Sequence, residues 1–339
     1  MIPRLPSLAM FPLAEALDSL LCLRPPLSWD RDGVSRPSGP RLSFALLYRA
    51  ARRAVGAPLA DAAARALLAR VRPRGRVILT TGLVTPHIAR GETDGPSGTL
   101  ALARALILGL KARVLILTEP QVVAVLEEGS AALAGSERDG EAWQTRLRIR
   151  PFPSDPGQAA AASRRLIAIG PPMALISIEK LGPNGHGVIH TMRGEDVTRH
   201  QARTDLLFPL ATRRGILTVG VGDRGNEIGM GGLLRQPARC ACPCRGTIIC
   251  AVEARYPVAA FTSNWGAHAL TAGLAAYLGQ PRLLPRPESE ARMLRSMVRA
   301  GAVDGATRQR VPTVDGTGLD LQVAFLGMLQ ALVEAVSRP

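Results

Sequence analysis

Short apolar runs alternate along this chain with longer Ala- and Leu-rich segments, and this alternation restricts its possible folds more than any other feature. Continuous apolar runs of this length are typical of strands buried on both faces. The predicted strands are residues 77–80, 114–117, 174–178, 216–219, 247–252 and 258–261. The predicted helices are residues 59–70, 99–110, 158–169, 266–278, 288–300 and 319–336.

Such alternation predicts an α/β fold with a doubly wound, mostly parallel sheet and helices on both faces. Hydrophobic residues make up 47% of the 339 residues, enough to fill a large core. We expect residues 41–339 to form a single α/β domain. The proline-rich residues 1–40 are predicted to be an irregular, poorly ordered lead-in. In sheets of this kind ligands bind outside the carboxyl ends of the strands, so the residues that follow each strand are the candidates for a site.

The chain is strongly basic, with a net charge of +15 at pH 7. Only Lys111 and Lys180 among its 42 basic residues are lysines, and aromatic residues that could stack on bases make up 4%. This pattern indicates a general bias toward arginine, and we expect no nucleic-acid partner. No uncharged apolar run reaches roughly 18 residues, so no membrane partner is expected.

Five cysteines in a chain of this length make no disulfide framework. This usage indicates a reducing compartment, and we expect a cytoplasmic protein. The alternative is the mitochondrial matrix, if the arginine-rich N-terminal region is a transit segment.

Acidic residues are a minority in this chain, and they gather directly after the predicted strands. The segments at these strand ends carry Thr81, Glu92, Asp94, Gly95, Ser97, Gly98, Glu179, Lys180, Asn184, Asp223, Gly225, Asn226, Glu227, Ser263 and Asn264. Because parallel strands end at the same edge of a sheet, these residues predict one acidic, glycine-lined pocket. A set of turn residues and helix caps is the alternative, and it suits Ser97 or Asn264 taken singly.

Residues 220–225 match the pattern Gly-x-Gly-x-x-Gly of dinucleotide-binding proteins. Gly229, Gly231 and Gly232 would interrupt the helix that this reading requires, and the next acid after Glu227 is the distant Glu253. The glycines therefore favour a loop whose backbone passes close to a ligand. A nucleotide-dependent α/β enzyme stays an alternative.

Cys240, Cys242 and Cys244 are spaced Cys-x-Cys-x-Cys, unlike the Cys-x2-Cys pairs of most structural zinc sites. We expect a loop of free thiols, with a metal site as the alternative. Three histidines in candidate site loops are expected to be solvated side chains, with a chemical role as the alternative: His87, His186 and His268.

Three stretches of the chain resemble the C-terminal domain of the D-glutamate cyclase family. They are Gly-Glu-Thr-Asp-Gly-Pro at 91–96, Gly-Asp-Arg-Gly-Asn-Glu-Ile-Gly-Met-Gly at 222–231 and Ser-Asn-Trp-Gly at 263–266. Supporting matches lie at Arg193-Gly194, at residues 302–305 and at residues 313–316. The resemblance implies a carbon–oxygen lyase (a hydro-lyase) that closes D-glutamate, or a close amino-diacid analogue, to 5-oxo-D-proline with loss of water.

This chemistry needs a base, a polarised γ-carboxyl group and donors for the oxyanion. The resemblance and the chemistry together assign catalysis to four acids, Asp94, Asp223, Glu227 and Glu92, with Asp94 or Asp223 as the base. The predicted substrate-binding residues are Thr81, Gly95, Ser97, Gly98, Glu179, Lys180, Asn184, Arg193, Gly225, Asn226, Ser263 and Asn264.

Within this set, Lys180 or Arg193 would hold the α-carboxylate of the substrate. Backbone amides of residues 225–231 and the helix start at Gly98 would cradle the γ-carboxyl group. Asn226 and Asn264 would donate hydrogen bonds to the oxyanion.

No cofactor is certain, but a divalent cation would suit the oxygen ligands Asp223, Glu227 and Asp94. Mg²⁺ or Mn²⁺ is the expected ion. Two residues depart from the family pattern: Arg224 stands in place of a glycine, and Arg255 in place of an acid, with Glu253 nearby. Because of these departures, an inactive amino-acid-binding module stays a further alternative.

Overall fold

The computed structural model describes residues 10–24, 44–234, 240 and 242–337. In this part of the chain one six-stranded sheet runs in the order β3-β2-β1-β4-β5-β6, and every neighbouring pair is parallel. The strands are β1 (Arg76–Thr80), β2 (Arg113–Thr118), β3 (Leu147–Pro151), β4 (Ala174–Ile178), β5 (Leu217–Gly222) and β6 (Tyr256–Ala259). The predicted doubly wound α/β fold is confirmed.

Helices cover both faces of the sheet. They are α1 (Met10–Leu21), α2 (Phe44–Val55), α3 (Leu59–Arg70), α4 (Pro96–Leu110), α5 (Val123–Ala134), α6 (Pro156–Ala168), α7 (Leu207–Arg213), α8 (Ser263–Tyr277), α9 (Pro287–Arg299) and α10 (Leu319–Ser337). Successive side chains of a strand point to opposite faces. Accordingly, Val77 and Leu79 of β1 join the larger core, while Ile78 joins the smaller core with residues of α6 and α7.

The strand order places the topological switch point between β1 and β4. From β1 the chain builds outward through β2 to β3, and from β4 it builds in the other direction through β5 to β6. A crevice forms where such a sheet reverses its winding, outside the carboxyl ends of the strands. The residues that follow β1, β4, β5 and β6 therefore share one edge.

The strand predictions differ from the structure in three main respects. The predicted strand at 247–252 is wrong: these residues form no strand, and Ile248 and Ile249 form a bend that packs beside the cysteine-rich loop. Strand β3 was missed because Arg148 and Arg150 are exposed and alternate with the apolar residues of this edge strand. The predictions at 216–219 and 258–261 found β5 and β6 but placed their ends incorrectly.

The interpretation of residues 1–40 as irregular is wrong for Met10–Leu21, which form α1. Leu13, Leu17 and Leu21 of this helix are buried in the larger core. Asp18 is also buried and accepts hydrogen bonds from the amides of Leu59 at 2.8 Å and Ala60 at 3.3 Å, so it caps the start of α3. The rest of that segment lies outside the described residues.

Helix α10 is long and apolar enough to cross a membrane by length and composition, a test that core helices of soluble proteins also pass. Its residues Phe325, Leu326 and Leu329 are fully buried, and the helix packs on α1, α8 and α9. The absence of a membrane partner stays a prediction.

Candidate active site

Six acidic side chains converge at the carboxyl ends of β1, β4 and β5, and we call them the acid cluster: Glu92, Asp94, Glu179, Asp223, Glu227 and Asp315. Oxygens of Glu179, Asp223 and Glu227 lie within 4.8 Å of one another, and so do oxygens of Asp94, Asp223 and Asp315. Asp223 is common to both groups. Five of the six are buried, and Asp315 is partly buried. The acids that the sequence placed at strand ends are thus brought together.

Gly95 and Glu179 form the close contact at the switch point. Gly95 has a positive φ of 94°, and a Cβ atom there would lie 2.7 Å from both the Cβ of Glu179 and the Oγ1 of Thr81. Only glycine fits this approach without displacing its neighbours. Glu179 itself has a φ of 45°, a conformation that non-glycine residues rarely adopt.

Both carboxylate oxygens of Asp94 accept hydrogen bonds from backbone amides, two of which lie at the start of α8. Its Oδ1 accepts from the amides of Gly95 at 3.0 Å and Asn264 at 2.8 Å, and its Oδ2 accepts from the amide of Ser263 at 2.9 Å. Burial and the neighbouring Asp315 raise the pKa of Asp94 to about 7 despite these three amides. Because both oxygens are occupied as acceptors, the structure favours a capping role over the predicted role as a base.

Asn264 makes the reciprocal contact with α4. Its Oδ1 accepts from the amides of Gly95 at 3.0 Å and Gly98 at 2.9 Å, and its Nδ2 donates to the carbonyl of Thr93 at 2.9 Å. Nδ2 carries a second proton, so the role of Asn264 as an oxyanion donor stays a prediction beside this observed capping role. The predicted ligand amide of Gly98 is engaged as well, and Gly98 allows α4 to pack closely on Ala267.

Ser97 faces α9 and not the acid cluster. Its Oγ donates to Oε1 of Glu290 at 2.7 Å, and Nε2 of His268 lies 3.3 Å from the other oxygen of Glu290. All three side chains are buried. The prediction that Ser97 binds substrate is therefore wrong for its side chain, and so is the prediction that His268 is solvated.

Ser263 positions Glu179. The Oγ of Ser263 donates a hydrogen bond to Oε2 of Glu179, and its amide donates to Asp94. Burial, followed by repulsion from Asp223 and Glu227, raises the pKa of Glu179 well above its usual range. Glu179 therefore favours its protonated form when no cation is bound beside it.

Glu227 folds the loop that follows β5. Its Oε1 accepts from the amide of Arg224 at 2.9 Å and its Oε2 from the amide of Gly225 at 2.7 Å. Asn226 donates through Nδ2 to the carbonyl of His190 at 2.9 Å. The predicted use of the Gly225 amide as a substrate ligand is therefore wrong, and Glu227 acts first as a loop anchor.

Arg224 brings a positive charge into the acid cluster. Its Nε lies 2.7 Å from Oδ2 of Asp223, and its Nη2 lies 3.3 Å from Oδ2 of Asp315. The side chain is 32% exposed, so it lies at the mouth of the cluster. Arg255, the second departure from the family pattern, is exposed, and its amide donates to Thr218 at 2.9 Å.

Lys180 belongs to a separate buried network. Its Nζ donates to the carboxylate of Glu119, to Oε1 of Gln201 at 2.9 Å and to the carbonyl of Gly82 at 3.1 Å. An ammonium group has three protons to donate, and all three are used here. The prediction that Lys180 holds the substrate carboxylate is wrong.

Two further residues that were predicted to bind substrate, Asn184 and Arg193, make their hydrogen bonds outside the acid cluster. Asn184 accepts from the amides of His186 at 2.8 Å and Val188 at 3.1 Å and donates to the carbonyl of Thr247 at 2.8 Å. These hydrogen bonds stabilise a turn and occupy the side chain that was predicted to bind substrate. Arg193 is exposed and donates to the carbonyl of Ala306 at 3.0 Å. Its role as a carboxylate ligand stays a prediction.

Three predicted site residues keep a buried oxygen without a hydrogen-bond partner. These oxygens are Oγ1 of Thr81, Oε1 of Glu92 and Oδ1 of Asn226. Buried polar atoms are rarely left unpaired, and an unpaired acceptor or hydroxyl in a site is a position where a ligand can bind. Burial and repulsion from Asp315, Asp94 and Asp223 raise the pKa of Glu92 well above its usual range.

The loop between α9 and α10 contributes residues that were not assigned to the site from the sequence. Asp315 joins the cluster, and its pKa is raised to about 7 by burial and by Asp223. Asp304 orders this loop, because it accepts from the amides of Ala306, Thr307 and Gly316 and from the Thr313 hydroxyl. The available signal was the tripeptide Val-Asp-Gly, which occurs at 303–305 and again at 314–316.

The oxygen-only ligands of the acid cluster are of the type that Mg²⁺ and Mn²⁺ prefer. The predicted metal ligands Asp94, Asp223 and Glu227 do not form one group, because Asp223 alone joins the two sets of oxygens. Backbone amides occupy Asp94 and Glu227, and Arg224 binds Asp223. A divalent cation would therefore compete with Arg224, and its binding stays a proposal.

The fold and the acid cluster define a doubly wound α/β protein with a buried acidic site at its switch point. Residues 36–332 match the family described as D-glutamate cyclase-like, C-terminal, and the chain belongs to this family. Over 207 residues it is 31% identical to the protein named D-glutamate cyclase, mitochondrial, of Homo sapiens. That alignment covers 58% of this chain and 32% of the human protein, so the chain matches about a third of that relative's length.

Among solved structures, one similarity is to the terminal R domain from the myxalamid PKS-NRPS biosynthetic pathway. The two chains are 17% identical with a TM-score of 0.27, and the match covers 64% of this chain and 52% of that one.

Proposed function

We propose that this protein is a D-glutamate cyclase-like lyase, which closes D-glutamate or a close amino-diacid analogue to 5-oxo-D-proline with loss of water. The observation that carries the proposal is the buried acid cluster at the switch point, in a chain that belongs to the D-glutamate cyclase-like family. A ligand with an ammonium group matches the charge of this cluster. The proposed partner is accordingly a small acidic amino acid.

The reaction forms a bond between the α-nitrogen and the γ-carboxyl carbon and breaks one carbon–oxygen bond of that carboxyl group. The ammonium group of the substrate gives up two protons, and both end on the oxygen that leaves as water. No net proton is gained or lost. The site must therefore move protons from nitrogen to oxygen within one pocket, which a cluster of carboxyl groups with raised pKa values can do near neutral pH.

Different surroundings suit Asp223 and Glu179 to different steps. Burial raises the pKa of Asp223 well above its usual range, but the guanidinium of Arg224, 2.7 Å away, acts in the opposite direction and stabilises the ionised form that accepts a proton from the substrate ammonium. No cation among the described residues lowers the pKa of Glu179, and burial and neighbouring acids raise it well above its usual range. We therefore assign Asp223 as the base and Glu179 as the acid that protonates the departing oxygen.

Arg224 replaces Lys180 as the proposed partner for a substrate carboxylate. Its guanidinium lies at the mouth of the cluster and is 32% exposed, whereas Lys180 is fully buried. A planar guanidinium can bind a carboxylate through two parallel hydrogen bonds. Glu92, with its unpartnered Oε1, is available to receive the substrate ammonium.

The deciding experiment incubates the purified protein with D-glutamate, L-glutamate and other five-carbon amino diacids, and measures 5-oxoproline by chiral chromatography. We expect product from D-glutamate, and loss of about 100-fold or more of the rate in Asp223→Asn and Glu179→Gln. Glu128→Gln, on the exposed face of α5, is the matched control and should keep full activity. If no diacid yields a cyclised product, the cyclase proposal is wrong for this chain.

A specific observation favours a second candidate, an inactive module that binds an amino acid. Arg224 pairs with Asp223 and Asp315, so these two acids are already engaged by a cation and need not take part in turnover. Calorimetric titration with D-glutamate, together with the chromatographic product assay, separates the two candidates, because the module binds D-glutamate but forms no 5-oxoproline.

The nucleotide-dependent alternative has less support. Gly220 and Gly222 lie within β5, and no helix begins among the described residues between β5 and β6, so a nucleotide phosphate would find no helix N-terminus there. Gly220 instead packs against Gly229, whose Cα would lie 2.5 Å from a Cβ at position 220. Thermal-shift titration with NAD(H) and ATP tests this alternative.

A cytoplasmic location stays our prediction, with the mitochondrial matrix as the alternative. The human relative is named as mitochondrial, and all five cysteines of this chain are free, in keeping with a reducing compartment. Imaging of the full chain with a C-terminal tag in its native host distinguishes the two.

A further inference from the structure

Three cysteines and one histidine converge on a single point beside the acid cluster. Sγ of Cys242 lies 3.0 Å from Sγ of Cys240 and 3.0 Å from Sγ of Cys244, and Cys240 and Cys244 are 3.2 Å apart. Nε2 of His190 lies 3.1 Å from Cys242 and 3.6 Å from Cys244. The four ligand atoms all lie within 4.8 Å of one another.

Four atoms so arranged form a complete ligand set. Three thiolates and one imidazole are a standard set for structural zinc, with four ligands and no open position. In such a site the Zn–S bonds are about 2.3 Å long, so the sulfurs lie about 3.8 Å apart. Small outward movements of the three sulfurs would open that space. A disulfide would use only two of the three thiols and would leave His190 unexplained.

The surroundings of Cys244 suit a thiolate. The amide of Gly246 lies 3.4 Å from its Sγ, and Nδ2 of Asn184 lies 3.7 Å away. A Cβ on Gly246 would approach Nδ2 of Asn184 to 2.8 Å, so glycine is needed for this close packing. Donors around a ligand sulfur orient it and stabilise its charge, as expected around a metal centre.

We propose that His190, Cys240, Cys242 and Cys244 bind one structural zinc ion that fastens the cysteine-rich loop to the loop after β5. The first connection is the carbonyl of His190, which accepts from Nδ2 of Asn226 at 2.9 Å. The second is the amide of Cys250, which donates to the carbonyl of Gly225 at 2.9 Å. Zinc would thus hold residues 225–226, which lie between Asp223 and Glu227.

The site was hidden in the sequence because its fourth ligand lies 50 residues before the first cysteine of the loop. The Cys-x-Cys-x-Cys spacing alone favoured free thiols. The structure contains no disulfide among the five cysteines, in keeping with that expectation, but it adds the histidine that completes a zinc ligand set.

The test measures zinc by plasma mass spectrometry in the full chain, purified without chelator from zinc-supplemented cells. We expect about one zinc per chain in the wild type and in the control Cys22→Ser, which removes a cysteine of the α1 region. Cys242→Ser and Cys244→Ser should hold less than a fifth of that amount, while Cys244→His, which keeps a ligand, should retain zinc. Equal zinc in wild type and both serine variants would overturn the proposal.

Two measurements on the wild type need no variant. Cobalt added to metal-free protein should produce the thiolate-to-cobalt charge-transfer absorption, which carboxylate ligands of the acid cluster cannot give. In the native zinc protein, adding a chelator should make three further cysteines reactive toward a thiol reagent, while the buried Cys250 should not change. A metal-free purified protein without that cobalt absorption would refute the zinc site whether or not the chain is a cyclase.

Discussion

Asp94 and Asn264 cap each other's helices. Asp94, two residues before the start of α4, accepts from the amide of Asn264 at 2.8 Å in the first turn of α8. Asn264 in turn accepts from the amide of Gly98 at 2.9 Å in the first turn of α4. A side-chain acceptor satisfies donors that a helix start leaves unpaired. This reciprocal contact fixes the two helix starts beside the acid cluster.

The first prediction concerns this pair. Asp94→Ala and Asn264→Ala should each lower the free energy of unfolding by about 1–3 kcal/mol, because each leaves buried amides unpaired. The double variant should lose less than the sum, since the residues share one network. Urea unfolding measures all three. Asp320→Ala, an exposed acid in the first turn of α10, is the control, and full additivity at 94 and 264 would contradict the coupling.

The second prediction is that stability falls as pH rises toward neutrality. The pKa values of Asp94 and Asp315 are raised from 3.8 to about 7 in the folded chain, mainly by burial. Between these values the folded state binds more protons than the unfolded state, so its stability is greatest at low pH and is lost as pH rises through about 7. Urea unfolding at about pH 5 and about pH 8 measures this slope, and Asp315→Asn should flatten it.

The control for that slope is Asp196→Asn. Burial acts to raise the pKa of Asp196, but the Thr198 hydroxyl and amide outweigh it, so the pKa lies below 3.8. Its titration therefore falls outside the measured range, and the slope should not change. A slope that is identical in the wild type and in Asp315→Asn would show that Asp315 does not titrate as stated.

The sequence predicted the fold well where apolar runs were continuous. Strand β4 was found with its correct ends, because all five of its residues are buried and apolar or small. Strand β3 was missed because its arginines face solvent at the sheet edge. Helix α1 was missed because its acid Asp18 caps α3 at Leu59, which lies 41 residues further along the chain. Contacts so distant in sequence leave no local pattern.

The sequence also predicted which acids gather at the strand ends, but not what each one does. Asp94, Asn264 and Ser97 looked like ligands, and the structure shows that their polar atoms bind helix starts or a neighbouring glutamate. The alternative prediction of helix caps holds for Asn264, which accepts from amides at the start of α4, but not for Ser97, whose hydroxyl binds Glu290. Asp315 was overlooked because it follows no strand and reaches the cluster from the loop before α10.

The third prediction separates Lys180 from substrate binding. Lys180 and Glu119 are 0% and 1% exposed and form a buried ion pair, so Lys180→Met leaves Glu119 as an uncompensated buried charge. The expected loss is about 3–5 kcal/mol of unfolding free energy, and a second change, Glu119→Gln, should restore part of it. In the double variant, the affinity for D-glutamate by calorimetry should match the wild type. A loss of affinity for D-glutamate without a loss of unfolding free energy would contradict this prediction and support a role for Lys180 in substrate binding.

The fourth prediction is that Arg224 takes the place of a metal ion in the acid cluster. Its guanidinium binds Asp223 and Asp315, and burial together with repulsion from Asp223 raises the pKa of Asp315. Arg224→Ala should therefore lower stability at about pH 8 by about 1–3 kcal/mol, and Mn²⁺, which prefers oxygen ligands, should restore it. Thermal unfolding with and without Mn²⁺ measures both effects.

The matched control for that change is Arg203→Ala. Arg203 pairs with Asp205 at 2.8 Å, away from the acid cluster, so its loss should lower stability without any response to Mn²⁺. The wild type should also respond little, because Arg224 occupies the oxygens that the ion needs. An equal Mn²⁺ response in the wild type and in Arg224→Ala would mean that the cation and the guanidinium do not compete. The metal-binding oxygens would then be those of the other group, Glu179, Asp223 and Glu227.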